Sequence, residues 1–560
     1  MKIINRDVML LVTGVIIGFL LSFGMIIYRV LGGSSIYSAM FFEAWQILDV
    51  ALFIRPIHMF FLIFSLLLFV AICIFIYFIP YFISEESSQK STIMITRLIG
   101  YIGLTYFFGE TLQYNLMNSL FYQGVFNTVP YFLGISILTF SMIIMFSNFN
   151  SNTSEFKFKK NIPSLIQVTI FPIIAMMLMV PNLSAMAGIL PDPPEISEGE
   201  FGNLIEEYQT FEVNYNSIMP SETYDVMTEE EKEKEWLVRI YVPELVEKGV
   251  KNKTIPVAIF MHGFAEYEPD QFMDMVHSIT SKGNICIYIH YPSYFDIPDS
   301  NRPELVKEKG GENWPEMLYR YKLIIPELSR VENIIINNSE PEIFSQIKTH
   351  IGENNISFSH LWLGGMSLGA GMLTTLATHA TDNGWGNKTF IIDGEVPSVY
   401  STYPEYYGNL TNLPDHTIIN ILNADEDHVV PRCSGKWIFE RFFTRDGAGI
   451  LNESQGHYIL INSDRRGFPR LVATHYLSAN AVHDALSDFT VFKRFDAQAI
   501  YIHAMANSNL EVANEALPYF TNPDVIKDIG KWSDGELVIL PSVTNDPLGI
   551  RGTTELHCQE

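Results

Sequence analysis

The first 190 residues alternate long apolar runs with short polar breaks, and the later residues do not. Five runs stand out, Val8–Tyr28, Met59–Ile79, Ile93–Phe108, Val129–Phe146 and Leu165–Leu183. A helix needs about 20 apolar residues to cross a hydrocarbon core of about 30 Å, because its backbone polar groups must be satisfied internally there. On this pattern residues 1–190 are expected to form a multi-pass helical membrane domain of about five spans. Ile93–Phe108 is the weakest of them, with Arg97 in its first turns and Glu110 just after it. Residues 36–54 carry Glu43 and Asp49 among apolar neighbours and suit a helix lying at the interface. Five spans put Lys2, Arg6 and the Lys157, Lys159 and Lys160 loop on one face, the cytoplasmic one by the positive-inside tendency. Whatever follows is then expected outside the cytoplasm, carried by an integral membrane anchor in the lipid bilayer. Losing the weak span reverses that side.

A linker is expected at 191–206, where PDPPEISEGE stiffens the chain and replaces apolar residues with acids. Beyond it the period changes to short β-rich runs separated by amphipathic stretches. Tyr208–Asn216 and Trp236–Val242 read as an antiparallel pair. Val257–Met261, Ile285–Tyr291, His360–Gly364, Thr389–Ile392, Thr417–Leu422 and His457–Asn462 read as six more strands, most followed by a connection long enough for a crossover helix. That alternation predicts an α/β domain over 207–518 with a mostly parallel eight-stranded sheet covered on both faces. Residues 519–560 form an extension with no role legible in it.

Charge sharpens the division. Residues 1–195 carry nine basic and nine acidic side chains, so the net charge of −26 falls wholly on the remainder. An acidic field of that size disfavours phosphate backbones, and nucleic acid is not an expected partner. The four cysteines, Cys73, Cys286, Cys433 and Cys558, form no CxxC pair and no metal spacing. They are expected as free thiols, a Cys433–Cys558 disulfide being the alternative. No metal or organic cofactor is implied.

The chemistry lies in Gly365-Met366-Ser367-Leu368-Gly369, a G-x-S-x-G sequence between a strand and a predicted helix. A serine on so sharp a turn needs a strained backbone, and the two glycines let strand and helix approach without Cβ clashes. The turn also aims the Leu368 N–H at a developing oxyanion. In this context the chain resembles the α/β-hydrolase superfamily, serine esterases and lipases among them, from about Glu207 to Ala504. The resemblance implies that His262-Gly263-Phe264 supplies the second oxyanion donor through the Phe264 N–H, with His262 itself a backbone-bonded loop residue.

A serine hydroxyl needs a histidine to take its proton and a carboxylate to orient that histidine. The family order of serine, acid, histidine directs attention to Asn423–Pro431, where the resemblance selects Asp427, with Asp425 as the near alternative and Asp393 as a distant one. His475 and His457 compete as base, and His483 is a third candidate. If His457–Asn462 is the last strand, His457 starts it on the wrong edge of the sheet, while His475 leaves it on the edge of Ser367. The expected set is Ser367, Asp427 and His475, with Phe264 and Leu368 as oxyanion donors. Tyr400, Tyr403, Tyr406 and Tyr407 are expected near the pocket or in ordinary packing. The expected activity is hydrolysis of a small ester through a Ser367 acyl-enzyme. The alternatives are a serine peptidase and an inactive hydrolase-like module that binds a ligand or scaffolds.

Overall fold

In a computed structural model the described residues are 190–547, apart from 197, 198, 200, 265–268, 298–313, 399–407, 428, 431, 468–469 and 480–483, together with scattered positions before 190. Two compact units divide the chain, residues 1–192 with 465–470, and residues 193–464 with 471–560. The sheet and the candidate site lie wholly in the second.

The expectation of a multi-pass helical membrane domain, and of an integral membrane location with it, is corrected here. Among the described residues no helix is long and apolar enough to cross a membrane. Length and hydropathy of a run set only whether a span is possible, and here no described helix meets both conditions. The five expected spans fall almost entirely on residues 1–189, outside the described residues.

The second unit is built on one mixed sheet of nine strands: β1 Tyr208–Asn214, β2 Leu237–Pro243, β3 Thr254–Met261, β4 Ile285–Ile289, β5 Asn355–Met366, β6 Thr389–Glu395, β7 Ile418–Ala424, β8 Gly456–Ile461 and β9 Ser542–Thr544. Their order is β1-β2-β4-β3-β5-β6-β7-β8-β9. This corrects the mostly parallel eight-stranded sheet. β2 pairs antiparallel with both β1 and β4, and β9 adds a further antiparallel strand against β8. β9 was missed because three half-buried residues make no apolar run. Strands β3 to β8 run parallel to one another, and β4, β6, β7 and β8 are buried at every residue, which is why β4 reads as a continuous apolar run.

Alternation along the strands feeds two different layers. Val257, Ile259, Met261, Leu361, Leu363, Ile392, Ile419 and Ile421 join one core with the helices α2 Trp314–Asn337, α3 Pro341–Ile351, α4 Leu368–Gly371, α5 Leu373–Asp382 and α6 Arg432–Thr444. On the opposite face Phe260 stacks between Tyr288 and Trp362. That row meets Phe272, which precedes α1 Met273–Ser281, and Phe495 of α7 Lys493–Ala506. The acidic run at 229–235 begins as a short helix, Glu229–Lys232, that exposes Glu229 and Glu230 and buries Glu231. One cysteine departs from the expectation of free thiols and one meets it. Cys433 is disulfide-bonded, with its partner outside the described residues, and Cys286 is a buried free thiol.

Candidate active site

β5 ends at Met366, and the chain turns at once into α4. Ser367 makes that turn with φ 53° and ψ −115°, a conformation that costs a non-glycine residue on the order of 1–3 kcal/mol. The surroundings hold it there. The Ser367 N–H donates to Glu395 O at 2.8 Å, and the Ser367 carbonyl accepts from the Ser398 N–H at 2.9 Å. Both glycines are sterically required. A Cβ on Gly369 would lie 2.1 Å from Met261 O and 2.6 Å from His262 O, and one on Gly365 would lie 2.7 Å from the Gly369 carbonyl carbon. Helix and strand β3 are therefore in backbone contact directly beside the serine.

The acid comes from the loop after β7. One oxygen of Asp427 accepts the N–H groups of Val429 at 2.8 Å and Val430 at 2.9 Å, which fixes the carboxylate plane. The other, Oδ2, faces His475 Nδ1 at 2.8 Å. The opposite nitrogen of that ring, Nε2, lies 2.9 Å from Ser367 Oγ. The network assigns the proton to Nδ1, where it is donated to Asp427, and leaves Nε2 to accept the serine hydroxyl. Ser367 and His475 are 6% and 4% exposed, so the chain of bonds is largely shielded from water.

The other candidates are occupied elsewhere. His457 is the second residue of β8, paired with Asn420, and its Nε2–H donates to Thr521 O at 2.9 Å. Burial holds its imidazole below the usual range. His483 and the four tyrosines between 400 and 407 lie outside the described residues. Asp425 does not face the imidazole. Its carboxylate accepts the Ser463 hydroxyl at 2.6 Å and the Ser463 N–H at 2.9 Å, and Ser463 Oγ in turn accepts the Ala473 N–H at 2.9 Å. The Glu426 N–H donates to Ala473 O at 3.1 Å. These bonds lace the acid loop to the loop that carries His475.

Asp393 lies in a buried ionic cluster instead. Arg494 donates to it at 2.9 and 3.2 Å and also to Glu395, while Gln498 donates from Nε2 to Asp393 at 2.5 Å and accepts the Trp362 indole N–H at its Oε1 at 2.8 Å. Burial pushes the Glu395 carboxyl well up, against the pull of Arg494 and with a push from Asp393. The sequence reading missed this cluster. Its members are about 100 residues apart in the chain, and each alone looks like an ordinary charged residue. It also missed Val396, a β-branched residue at φ 44° immediately after β6.

The oxyanion candidates come from two segments in contact. Leu368 is the first residue of α4, and Phe264 follows β3. Among the described residues neither N–H has a hydrogen-bond partner. His262 pins the Phe264 loop from below. Its ring stacks on Tyr291 at 3.8 Å, its Nδ1–H donates to Gly263 O at 2.6 Å, and its Nε2 accepts the Tyr291 N–H at 3.2 Å. Complete burial lowers this imidazole to about 3, so it is neutral and acts as a structural pin. The exposed rings of Phe264 and Tyr294 meet edge to face with centroids 4.9 Å apart.

No family model and no curated protein matches the chain. Solved structures similar to parts of it include an esterase from Rhizomucor miehei, at 13% identity and a TM-score of 0.28, covering 56% of this chain and 86% of that one. A thermostable esterase from Pseudomonas putida gives 11%, 0.28, 61% and 89% in the same order. An ester-hydrolase from the metagenome of Lake Arreo gives 14%, 0.29, 60% and 90%.

Proposed function

We propose that this chain is a serine hydrolase that cleaves small carboxylic esters through a Ser367 acyl-enzyme. The observation that carries the reading is the continuous Ser367–His475–Asp427 relay, with both bonds below 3 Å, built on a serine held in a strained turn. A binding module gains nothing from keeping such a residue in a disfavoured conformation, so the relay argues against the inactive alternative.

In the proposed reaction Ser367 Oγ attacks the ester carbonyl carbon while His475 Nε2 takes the hydroxyl proton. Asp427 keeps the Nδ1–H tautomer and stabilises the imidazolium that forms. The carbonyl oxygen gains charge as the carbon becomes tetrahedral, and the Phe264 and Leu368 N–H groups stabilise it in this reading. Collapse breaks the ester C–O bond, and His475 returns its proton to the departing alkoxide, which leaves as the alcohol. Water then attacks the acyl-enzyme by the reverse proton route, releasing the carboxylic acid and Ser367. The exposed Phe264 and Tyr294 rings beside one oxyanion donor favour a substrate with an apolar part.

A fluorophosphonate probe tests the reading without knowledge of the natural substrate. The wild-type chain should become labelled and Ser367→Ala should not. Equal labelling of the two would sink it.

A further inference from the structure

Residues 530–544 lie against the loop that carries His475. That loop leaves β8 through Asn462, Ser463 and Asp464, and it is pinched shut at Asp464 and Leu471. The Asp464 N–H donates to Leu471 O at 2.6 Å, and the Leu471 N–H donates to Asp464 O at 2.8 Å. Leu471 is four residues before His475, so this neck sets where the imidazole begins its reach toward Ser367.

The Asp464 side chain is bonded to the extension. Its Oδ2 accepts the Trp532 indole N–H at 2.9 Å and the Ile539 N–H at 3.0 Å. Asp464 and Trp532 are 4% and 1% exposed. The segment that brings Trp532 there is folded on itself. The Trp532 N–H donates to Glu536 O and the Gly535 N–H to Trp532 O, both at 2.8 Å, and Lys531 bridges Leu537. It is also tied to the sheet, because Asn462 Nδ2 donates to Leu540 O at 2.8 Å and β9 pairs with β8 from Leu460↔Ser542 to Tyr458↔Thr544.

We propose that Trp532 and Asp464 are positioning residues, the two halves of a clasp by which residues 530–544 fix the loop that presents His475 to Ser367. The proposal rests on the reading of that pair as the reacting groups. A carboxylate is an expensive way to hold a tail down, since burying it costs several kcal/mol and an apolar pair of similar volume often stabilises as well. What a carboxylate accepting two N–H groups adds over apolar packing is direction. Here that direction is imposed on the neck of the base loop.

The experiment uses the full chain and a fluorophosphonate probe, measuring the fraction of chains labelled, the maximal labelling rate and the half-saturating probe concentration. The variants are Trp532→Phe, Asp464→Leu and the two combined, the last removing the clasp without stranding a buried carboxylate or an indole N–H. The maximal rate should fall roughly tenfold to a hundredfold, the range expected when reacting groups are displaced by about 1 Å. The half-saturating concentration and the labelled fraction should stay within twofold of wild type. The double variant should be no slower than the slower single one, because the bond that Trp532 makes is one Asp464→Leu already removes, and its thermal midpoint should stay near wild type. A double variant that labels at the wild-type maximal rate, or whose loss is confined to the labelled fraction and the thermal midpoint, overturns the proposal. If the double variant does not fold, Trp532→Phe alone decides by the same criteria. A wild-type chain that does not label removes the hydrolase reading and this proposal with it. A labelled wild type matched by its variants removes the clasp alone.

Discussion

Adding one methyl group at Gly369 should disable the site from behind. In Gly369→Ala the new Cβ would stand 2.1 Å from Met261 O and 2.6 Å from His262 O, against about 3.2 Å or more for an ordinary carbon–oxygen contact. Both obstacles are backbone oxygens, one in β3 and one in the residue after it, so no rotamer change relieves the overlap. Helix α4 must retreat from β3 by about 1 Å. Overpacking of this kind costs about 1–3 kcal/mol of stability. The functional cost is separate, because Leu368 moves with the helix and Phe264 stays with the strand. Two oxyanion donors that separate by 1 Å no longer converge on one oxygen, and losing one donor costs about 10²–10³ in rate. Fluorophosphonate labelling kinetics and a thermal melt on the same preparation measure both effects. Labelling at the wild-type rate with an unchanged midpoint would refute the claim that the backbone contact at Gly369 sets the donor geometry.

Three other outcomes follow from the described geometry. His475→Ala should lose several orders of magnitude in labelling rate, as removal of a triad member does, while His457→Ala keeps most of it, since His457 bonds Thr521 O. Arg494→Met leaves Asp393 and Glu395 buried together without their cation and should cost about 3–5 kcal/mol in urea unfolding. His262, held at about 3 by burial, is neutral in the fold while the unfolded chain takes up its proton near pH 6.5. Its contribution is therefore complete above about pH 6.5 and is lost as pH falls toward 3. Relative to His262→Gln, the wild type should lose roughly 3–5 kcal/mol of unfolding free energy across that window. A constant difference between the two at every pH would contradict the assignment.

The interior parallel strands were legible because burial on both faces favours apolar runs, as in Ile285–Ile289, which is buried at every residue. The ninth strand was not, because Ser542–Thr544 is set by its pairing with β8 and not by its own composition. The same limit applies to the site. A serine between glycines, and a histidine downstream of the last parallel strand, are positions along a chain and can be read as such. Which oxygen Asp425 serves cannot, since the answer lies in Ser463, 38 residues on. The Arg494 cluster was invisible for the same reason, and Trp532 looked like part of a featureless tail until its indole was seen on Asp464. The membrane spans were inferred from composition over residues 1–189, and among the described residues no helix is long and apolar enough to cross a membrane.

Strand β9 also governs what the sheet exposes while the protein is being made. β8 is a fully buried strand with β7 on one side, and on the other it waits for residues 542–544, some 80 positions later. During synthesis every other strand of the sheet is complete while that edge stays open, a row of unpaired backbone groups on an apolar strand. A nascent chain halted between Ile461 and Ser542 would carry a template for pairing with its neighbours, and the last short strand covers Tyr458 to Leu460 of it.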